Sequence, residues 1–344
     1  MTKAGMAGMV SADDAAWRTF VLGHPSAHPF HHPAWAATIT DVYGYEPLAA
    51  TVRSESGEIL GGLPIVEVGG RLRRSRWIAL PFTDACTPLL GDGLSNQRLG
   101  AAVAELQRQH GVGSVEIRSP IDGFETERVL CGVNHRLTLT DPDAAFRSFE
   151  PQVRRNIRKA LGSGVTVRAA EEREDLTRVY FDLHVETRRR LGVPPQPRRF
   201  FEAFWRRIIE PGLGFVLLAQ HNGAAIAGAV FLEWNGLMVY KYGASDHRSW
   251  PLRPNNVLFW ECVRAGWERG VRTLDFGRSD LENEGLRRFK ESWGATEEPL
   301  VYTSLGRKQK SGAGIGERIL RPVVRTSPTW VGRTLGEALY RFAA

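Results

Sequence analysis

The 344-residue chain is short of lysine: of its 45 basic residues only Lys3, Lys159, Lys241, Lys290, Lys308 and Lys310 are lysines, and arginine fills every other basic position. It has three cysteines, Cys86, Cys131 and Cys262, an odd number without C-x-x-C spacing. That argues against a disulfide framework and against a zinc or redox motif, and leaves them as small core residues. No run approaches the ~20 apolar residues of a membrane span, and the start, MTKAGMAGMVSADDAAW, has no apolar export region, so the expected location is cytoplasmic. There is no G-x-x-x-x-G-K-[ST], no H-E-x-x-H, no G-x-S-x-G, and no G-x-G-x-x-G between a strand and a helix. P-loop chemistry, serine hydrolysis and hydride transfer therefore have no support. The histidines of HPSAHPFHHP lie in a Pro-rich loop without helical spacing or a companion carboxylate, so neither a metal nor another cofactor is expected.

What is present is a globular composition, 42% hydrophobic, on a length that suits two domains. From residue 214 the punctuation is clear: GFVLLAQ, Asn222-Gly223, AAIAGAVFLEW, Asn235-Gly236, LMVYKYGA. Each Asn-Gly pair supplies the two positive φ values of a type I′ turn, which predicts an antiparallel meander. After the loop SDHRSWPLRP, Asn255 is positioned to cap a helix that stops at Gly270, and RTLDFG follows as a strand able to pair in parallel with the meander. Two amphipathic helices precede the meander, on Leu176, Val179, Tyr180, Leu183 and Leu191 and on Phe200, Phe201, Phe204, Trp205, Ile208 and Ile209, with PPQPRR between them as a loop. The first 150 residues repeat this grammar more faintly. They offer a helix around Trp35, strands PLAATVR and ILGGLPIVEV, the apolar run RWIALPF, a helix through GAAVAELQRQH and a strand SVEIRS. The expected fold is α/β, a tandem pair of similar units, each a mixed, mostly antiparallel sheet flanked by helices.

The densest chemistry is in DFGRSDLENEGLRRFKESWGA. It follows a strand end, the usual place for a ligand in a sheet-based site, and gathers Asp275, Arg278, Ser279, Lys290 and Trp293. A carboxylate, a guanidinium and an ammonium beside apolar residues can bind an anionic substrate and orient an amine; a solvated helix face is the plain alternative. In a chain that favours arginine, Lys290, Lys241 and Lys159 hint that a compact ammonium is required. PQVRRNIRKALGSG places Arg154, Arg155, Asn156, Arg158 and Lys159 on one short helix, a solvated basic face or a phosphate contact.

The runs YGASDHRSWPLRPNNVLFWE, TLDFGRS and GLRRFKESWGA, with EPLVY after them and RRNIRKALGSGV upstream, resemble the FemAB family of tandem GNAT-like acyltransferases, closely over 150–305 and more loosely over 25–140. The resemblance implies an N-terminal acceptor-side domain over 1–145 and a donor-side domain over 146–305, and the shift to Gly and basic residues after Leu305 marks a tail over 306–344 expected to be helical. It implies aminoacyl transfer from aminoacyl-tRNA to an amine on a peptidoglycan-precursor peptide, a small peptide or a secondary metabolite. The family's F-K-x-x-[FW]-G lysine matches Lys290, expected to act as the positive group in the donor site. Tyr242, Arg253, Asn255, Asp275 and Arg278 match other family positions, with Asp275 expected to orient or deprotonate the amine; Ser279, Trp293, Lys241, Arg154 and Asn156 join them as substrate contacts. The chain departs from the family in having no coiled-coil arm and no P-R-G-P in LPFTDACTPLL.

An acyl-CoA enzyme of this fold cradles a diphosphate on glycine-rich loop amides, whereas DHRSWPLRPNN has two prolines and no glycine, which favours tRNA over a CoA or carrier-protein thioester. A non-catalytic binding protein on the same fold is the other alternative. The net charge of +7 is concentrated at the end: residues 306–344 hold eight basic and two acidic residues, and the rest is nearly neutral. That tail, with apolar residues among its arginines, suits either packing on the second domain or contact with RNA or an anionic membrane; DNA is not an expected partner.

Overall fold

The computed structural model describes residues 5–69, 75–122, 126–306 and 321–339, and its chain divides into two compact units. The first comprises Met1–Gly132 with Pro299–Ser311, the second Val133–Glu298 with Gly312–Ala343. The division falls at 132 and 298, where the sequence suggested 145 and 305, because residues 133–138 supply the second unit's first strand and residues 299–306 the first unit's last.

In the first unit, strands β1 (Met6–Ser11), β2 (Glu46–Arg53), β3 (Ile59–Val68) and β4 (Arg76–Ile78) pair antiparallel in that order. Helices α1 (Ala15–Gly23) and α2 (Pro33–Tyr43) lie between β1 and β2. Helix α3 (Asn96–Gln109) then returns the chain to β6 (Ser114–Ile117), parallel to β4, after the two-residue β5 (Leu89–Leu90) has paired with β3. RWIALPF is a strand only at its start, since Leu80 and Phe82 have positive φ values of 48° and 63° that end the ladder. The histidine-rich loop is held by backbone contacts, with His24 against Leu90 O, His31 against Thr87 O and His32 accepting from the Ala34 N–H at the start of α2.

In the second unit, β7 (Thr126–Thr138), of which residues 133–138 belong here, is followed by α4 (Pro142–Ser148), α5 (Pro151–Gly162) and β8 (Thr166–Ala169). A π-helical turn, Asp175–Tyr180, leads into α6 (Phe181–Leu191), and α7 (Arg198–Phe204) runs into a second π turn, Trp205–Ile209. The meander is β9 (Gly214–His221), β10 (Ala224–Trp234) and β11 (Leu237–Ser245), and Asn222, Gly223, Asn235 and Gly236 all have positive φ, as type I′ turns require. Helix α8 (Pro254–Glu268) crosses to β12 (Thr273–Ser279), parallel to β11, and α9 (Glu284–Glu291) follows. The sheet order is β7-β12-β11-β10-β9-β8. Strand β13 (Thr296–Gly306) starts in this unit and ends in the first, where Thr303–Gly306 pair antiparallel with β6.

The meander is apolar on both faces because helices cover both. Helix α8 lays Val257, Leu258, Phe259, Cys262 and Val263 against Phe231, Met238 and Leu274 on one side, while α6 packs on β10 and β11. Gly228 lets that packing close, since a Cβ there would lie 2.7 Å from the Tyr180 ring. Residues 321–326 are helical and are followed by α10 (Thr329–Leu339), which packs on α6. A Cβ on Gly336 would come 2.2 Å from Pro195 O, so this part of the tail docks closely. The tail residues Arg307, Lys308, Lys310, Arg318, Ile319, Leu320, Tyr340 and Arg341 lie outside the described residues.

Burial lowers the pKa of His31 to about 4 and of His184, which contacts Gln196 Oε1 at 2.7 Å, to about 3. The unfolded chain protonates these rings near 6.5 and the folded chain does not, so stability is greatest above that pH and falls as pH drops from 6.5 toward 4. Each histidine contributes a slope of up to ~1.4 kcal/mol per pH unit. Urea midpoints measured across that range should fall with acid, and His184→Gln should flatten the decline.

Candidate functional site

Strands β11 and β12 pair over only three positions, Leu237 with Thr273, Met238 with Leu274 and Val239 with Asp275. Past these, β11 continues to Ser245 in register with β10, and β12 continues to Ser279 in register with β7. Two parallel strands that stop pairing while each stays tied to its outer neighbour leave a gap at their C-terminal ends, where a ligand can reach backbone groups within the sheet.

Where the strands part, β12 bulges. Asp275 pairs with Arg136 and Arg278 with Asn134, so Phe276 and Gly277 stand against the single residue His135. Gly277 has φ 71°, which only glycine adopts without strain. The bulge is held from two directions. The Asp275 carboxylate accepts the Gly277 N–H at 2.7 Å through Oδ1, and through Oδ2 it accepts Asn134 Nδ2 at 2.8 Å and Arg136 Nε at 3.4 Å. Lys290, 2% exposed at the end of α9, donates its Nζ to Gly277 O at 2.6 Å and Arg278 O at 3.2 Å. The fold thus brings together the two residues expected to catalyse, but both of Asp275's oxygens are engaged and the Lys290 ammonium is turned into the bulge. In this structure their contacts hold the bulged strand.

The other expected site residues fall into three groups. Arg278 and Ser279 are on the bulged strand: Arg278 is exposed, with Nη2 2.8 Å from Asp280, and Ser279 is 2% exposed with no hydrogen-bond partner at Oγ. Tyr242 and Lys241 are on the diverging part of β11; Tyr242 packs against His184, Phe200 and Phe201, and the Lys241 ammonium lies 5.1 Å from the Tyr242 ring centre. Arg253 and Asn255 are at the start of α8, where Asn255 is not the cap. Arg253 occupies that position in the left-handed region (φ 60°, ψ 40°), a strained conformation for a residue before proline, and Asn255 sits inside the first turn. Arg154 and Asn156 are on α5, where they bond Arg147 O and Gln152 Nε2, and α5 packs on α8. Trp293 is not a ligand contact. It is wholly buried among Phe149, Phe259 and Phe289, because the helix turn that buries Lys290 also turns the indole into the core.

The sequence reading missed Asn134, His135 and Arg136 on β7, and Glu297. The signal for the first three was three successive polar residues between Val133 and Leu137 in a strand, which two-residue alternation does not explain. His135 is fully buried with Nε2 3.2 Å from Glu297 Oε2, and burial, followed by the Lys290 charge, lowers its pKa. Ligand atoms of His135, Glu291 and Glu297 lie within 4.8 Å of one another. However, Arg287 already grips both Glu297 oxygens at 2.7 and 2.9 Å, and Lys290 adds a second positive charge, so this is an ion-pair network and a poor place for a cation. In the first unit Cys86 Sγ lies 3.8 Å from His31, but burial pushes the thiol up to about 12 and the imidazole down to about 4, so the pair is inert.

Four amides in and after the turn ahead of α8 are engaged. Arg248 N–H donates to Asp246 Oδ1, Ser249 to Asp246 O, Arg253 to Trp250 O and Asn256 to Arg253 O, while Pro251 and Pro254 have none. The fold family's acyl-CoA diphosphate cradle is built from such amides, and these residues do not fit one.

An antiparallel meander, a crossing helix and a parallel strand that splays from it are the marks of one acyltransferase fold, and residues 147–291 match the GNAT acetyltransferase domain family. Residues 147–291 therefore carry a GNAT acetyltransferase domain. The chain is 35% identical over 85 residues to a lipid II:glycine glycyltransferase of Staphylococcus haemolyticus (strain JCSC1435), a stretch covering 23% of this chain and 20% of that relative's length. Its structure is similar to the crystal structure of FemX, at 16% identity and a TM-score of 0.67 over 90% of this chain and 99% of that one. It is also similar to a tandem GNAT protein from the clavulanic acid biosynthesis pathway, at 13% identity and a TM-score of 0.52 over 89% and 100%. The expected tandem GNAT-like α/β architecture is therefore the observed one.

Replacing Lys290 with Met leaves two strand carbonyls without their charged donor. Lys290→Met should cost about 2–4 kcal/mol in urea unfolding, whereas Leu286→Ala, on the exposed side of the same helix, should stay within about 0.5 kcal/mol.

Proposed function

We propose that this protein is a FemAB-like acyltransferase that moves an aminoacyl group from aminoacyl-tRNA onto the amine of a peptidoglycan-precursor peptide or similar small acceptor. The observation that carries the reading is the gap between β11 and β12, bordered by a bulge held by Asp275 and Lys290 and by a turn with two prolines and four engaged amides. A splayed GNAT strand pair offers backbone groups to an acyl donor, and a donor without a diphosphate to cradle suits this α8 start. The likeness to a lipid II:glycine glycyltransferase supports an aminoacyl group and an amine acceptor.

In the reaction, the neutral acceptor amine attacks the aminoacyl ester carbonyl. The C–N bond forms through a tetrahedral oxyanion, the ester C–O bond breaks, and the tRNA ribose hydroxyl leaves with a proton. The protein's part is to hold the two substrates in line. Lys290 and Asp275 act as positioning residues by fixing the Phe276–Arg278 backbone, while Arg278, Tyr242, Lys241, Arg253 and Asn255 border the gap as candidate donor contacts. Arg154 and Asn156, on α5 beside α8, are candidate contacts for donor phosphate.

Purified protein incubated with charged tRNAs and amine acceptors should form an amide detected by mass spectrometry, and RNase treatment of the donor should abolish it. Product from acyl-CoA or carrier-protein thioesters in place of tRNA would assign the alternative donor. Absence of product with every donor would support a binding protein. Arg253→Ala should raise KM for the donor with little effect on kcat, whereas Lys290→Met should lower kcat by about 100-fold or more.

A further inference from the structure

The last turn of α6 carries Arg188, Arg189 and Arg190, followed by the exposed Leu191 and by Gly192, which ends the helix in the left-handed conformation. The Arg190 guanidinium lies 4.6 Å above the centre of the Trp250 ring, and Trp250 is 43% exposed. Residues 321–326 lie over this helix end: a Cβ on Gly192 would come 2.5 Å from Arg321 Cγ and 2.9 Å from Arg325 Cγ. The tail is seated by Val324, which shares a crevice with Val185, Pro195 and Gly332. The neighbouring Val323 is left 43% exposed and Trp330 66% exposed. Among the described residues Arg190, Arg321 and Arg325 pair with no carboxylate.

We propose that this surface, formed by the end of α6, the turn before α8 and the C-terminal helices, docks on an anionic lipid membrane. Guanidinium groups supply permanent positive charge within reach of lipid phosphates, and tryptophans between them suit the boundary of headgroup and acyl chain. The aliphatic members decide between a membrane and a nucleic acid. Leu191 and Val323 gain free energy by entering an acyl-chain boundary, but offer a nucleobase no stacking face. The tail therefore has two sides with different tasks, with Val324, Gly332 and Gly336 fastening it to α6 and the Pro195 loop and Val323 and Trp330 facing outward. The surface is independent of the donor the enzyme uses.

The full chain would be sedimented with phosphatidylcholine vesicles, with and without about a third phosphatidylglycerol. Binding is expected only to the anionic vesicles and should weaken as salt is raised. Arg321→Glu with Arg325→Glu should cut it about tenfold or more, and Trp330→Ser with Val323→Ser should reduce the part that survives high salt. Circular dichroism and thermal midpoints that match the parent chain would show the variants folded. Equal binding to neutral vesicles, no binding to anionic ones, or binding unchanged in both double variants would overturn the proposal. So would tRNA retention that is lost in the charge-reversed variant while vesicle binding stays intact, since the patch would then read nucleic acid.

Discussion

One interaction sets the geometry at the centre of the second unit. An ammonium and a carboxylate from different elements hold opposite polar groups of the same peptide segment: Asp275 takes the Gly277 N–H, and Lys290 takes the Gly277 and Arg278 carbonyls. A bulge leaves backbone donors and acceptors outside the ladder, and inside a protein such groups need partners. Here the partners are charged, so the bonds are strong and the segment has little freedom to slip. The separation of β11 from β12 depends on this, because the strand that leaves its neighbour must be stable without that neighbour's hydrogen bonds.

Lysine suits the task for reasons of shape. A compact ammonium on a flexible stem can donate to two successive carbonyls converging on one point, whereas a guanidinium is a broad plane with donors in a fixed fork. The position is closed, with Trp293 three residues on and Phe289 beside it. In a chain that uses arginine almost everywhere else, this is a physical reason for one of its few lysines to be where it is.

Much of the fold was legible because it is local. The Asn-Gly pairs fixed the meander, and the 3.6-residue spacing from Leu176 to Ile209 marked helices, although it gave no hint that Asp175–Tyr180 and Trp205–Ile209 would be π turns. The short β1 strand and the polar β7 segment at Asn134–Arg136 were not legible, since each is a strand only through pairing with residues far away in the sequence. The site divided in the same way. DFGRS and FKESWG marked the right place, but whether an ammonium faces a substrate or a backbone carbonyl depends on how α9 returns to β12. Trp293 shows the limit most plainly, as the same letters serve a pocket or a core.

The path of β13 bears on how the chain reaches its final state during synthesis. Residues 303–306 complete the ladder beside β6, yet the ribosome makes them about two hundred residues after β6 has emerged. Until then β6 is an open edge, with apolar residues Val115 and Ile117 on a strand that has one neighbour. The first unit therefore cannot complete its sheet until residues 303–306 have been made, after nearly all of the second unit.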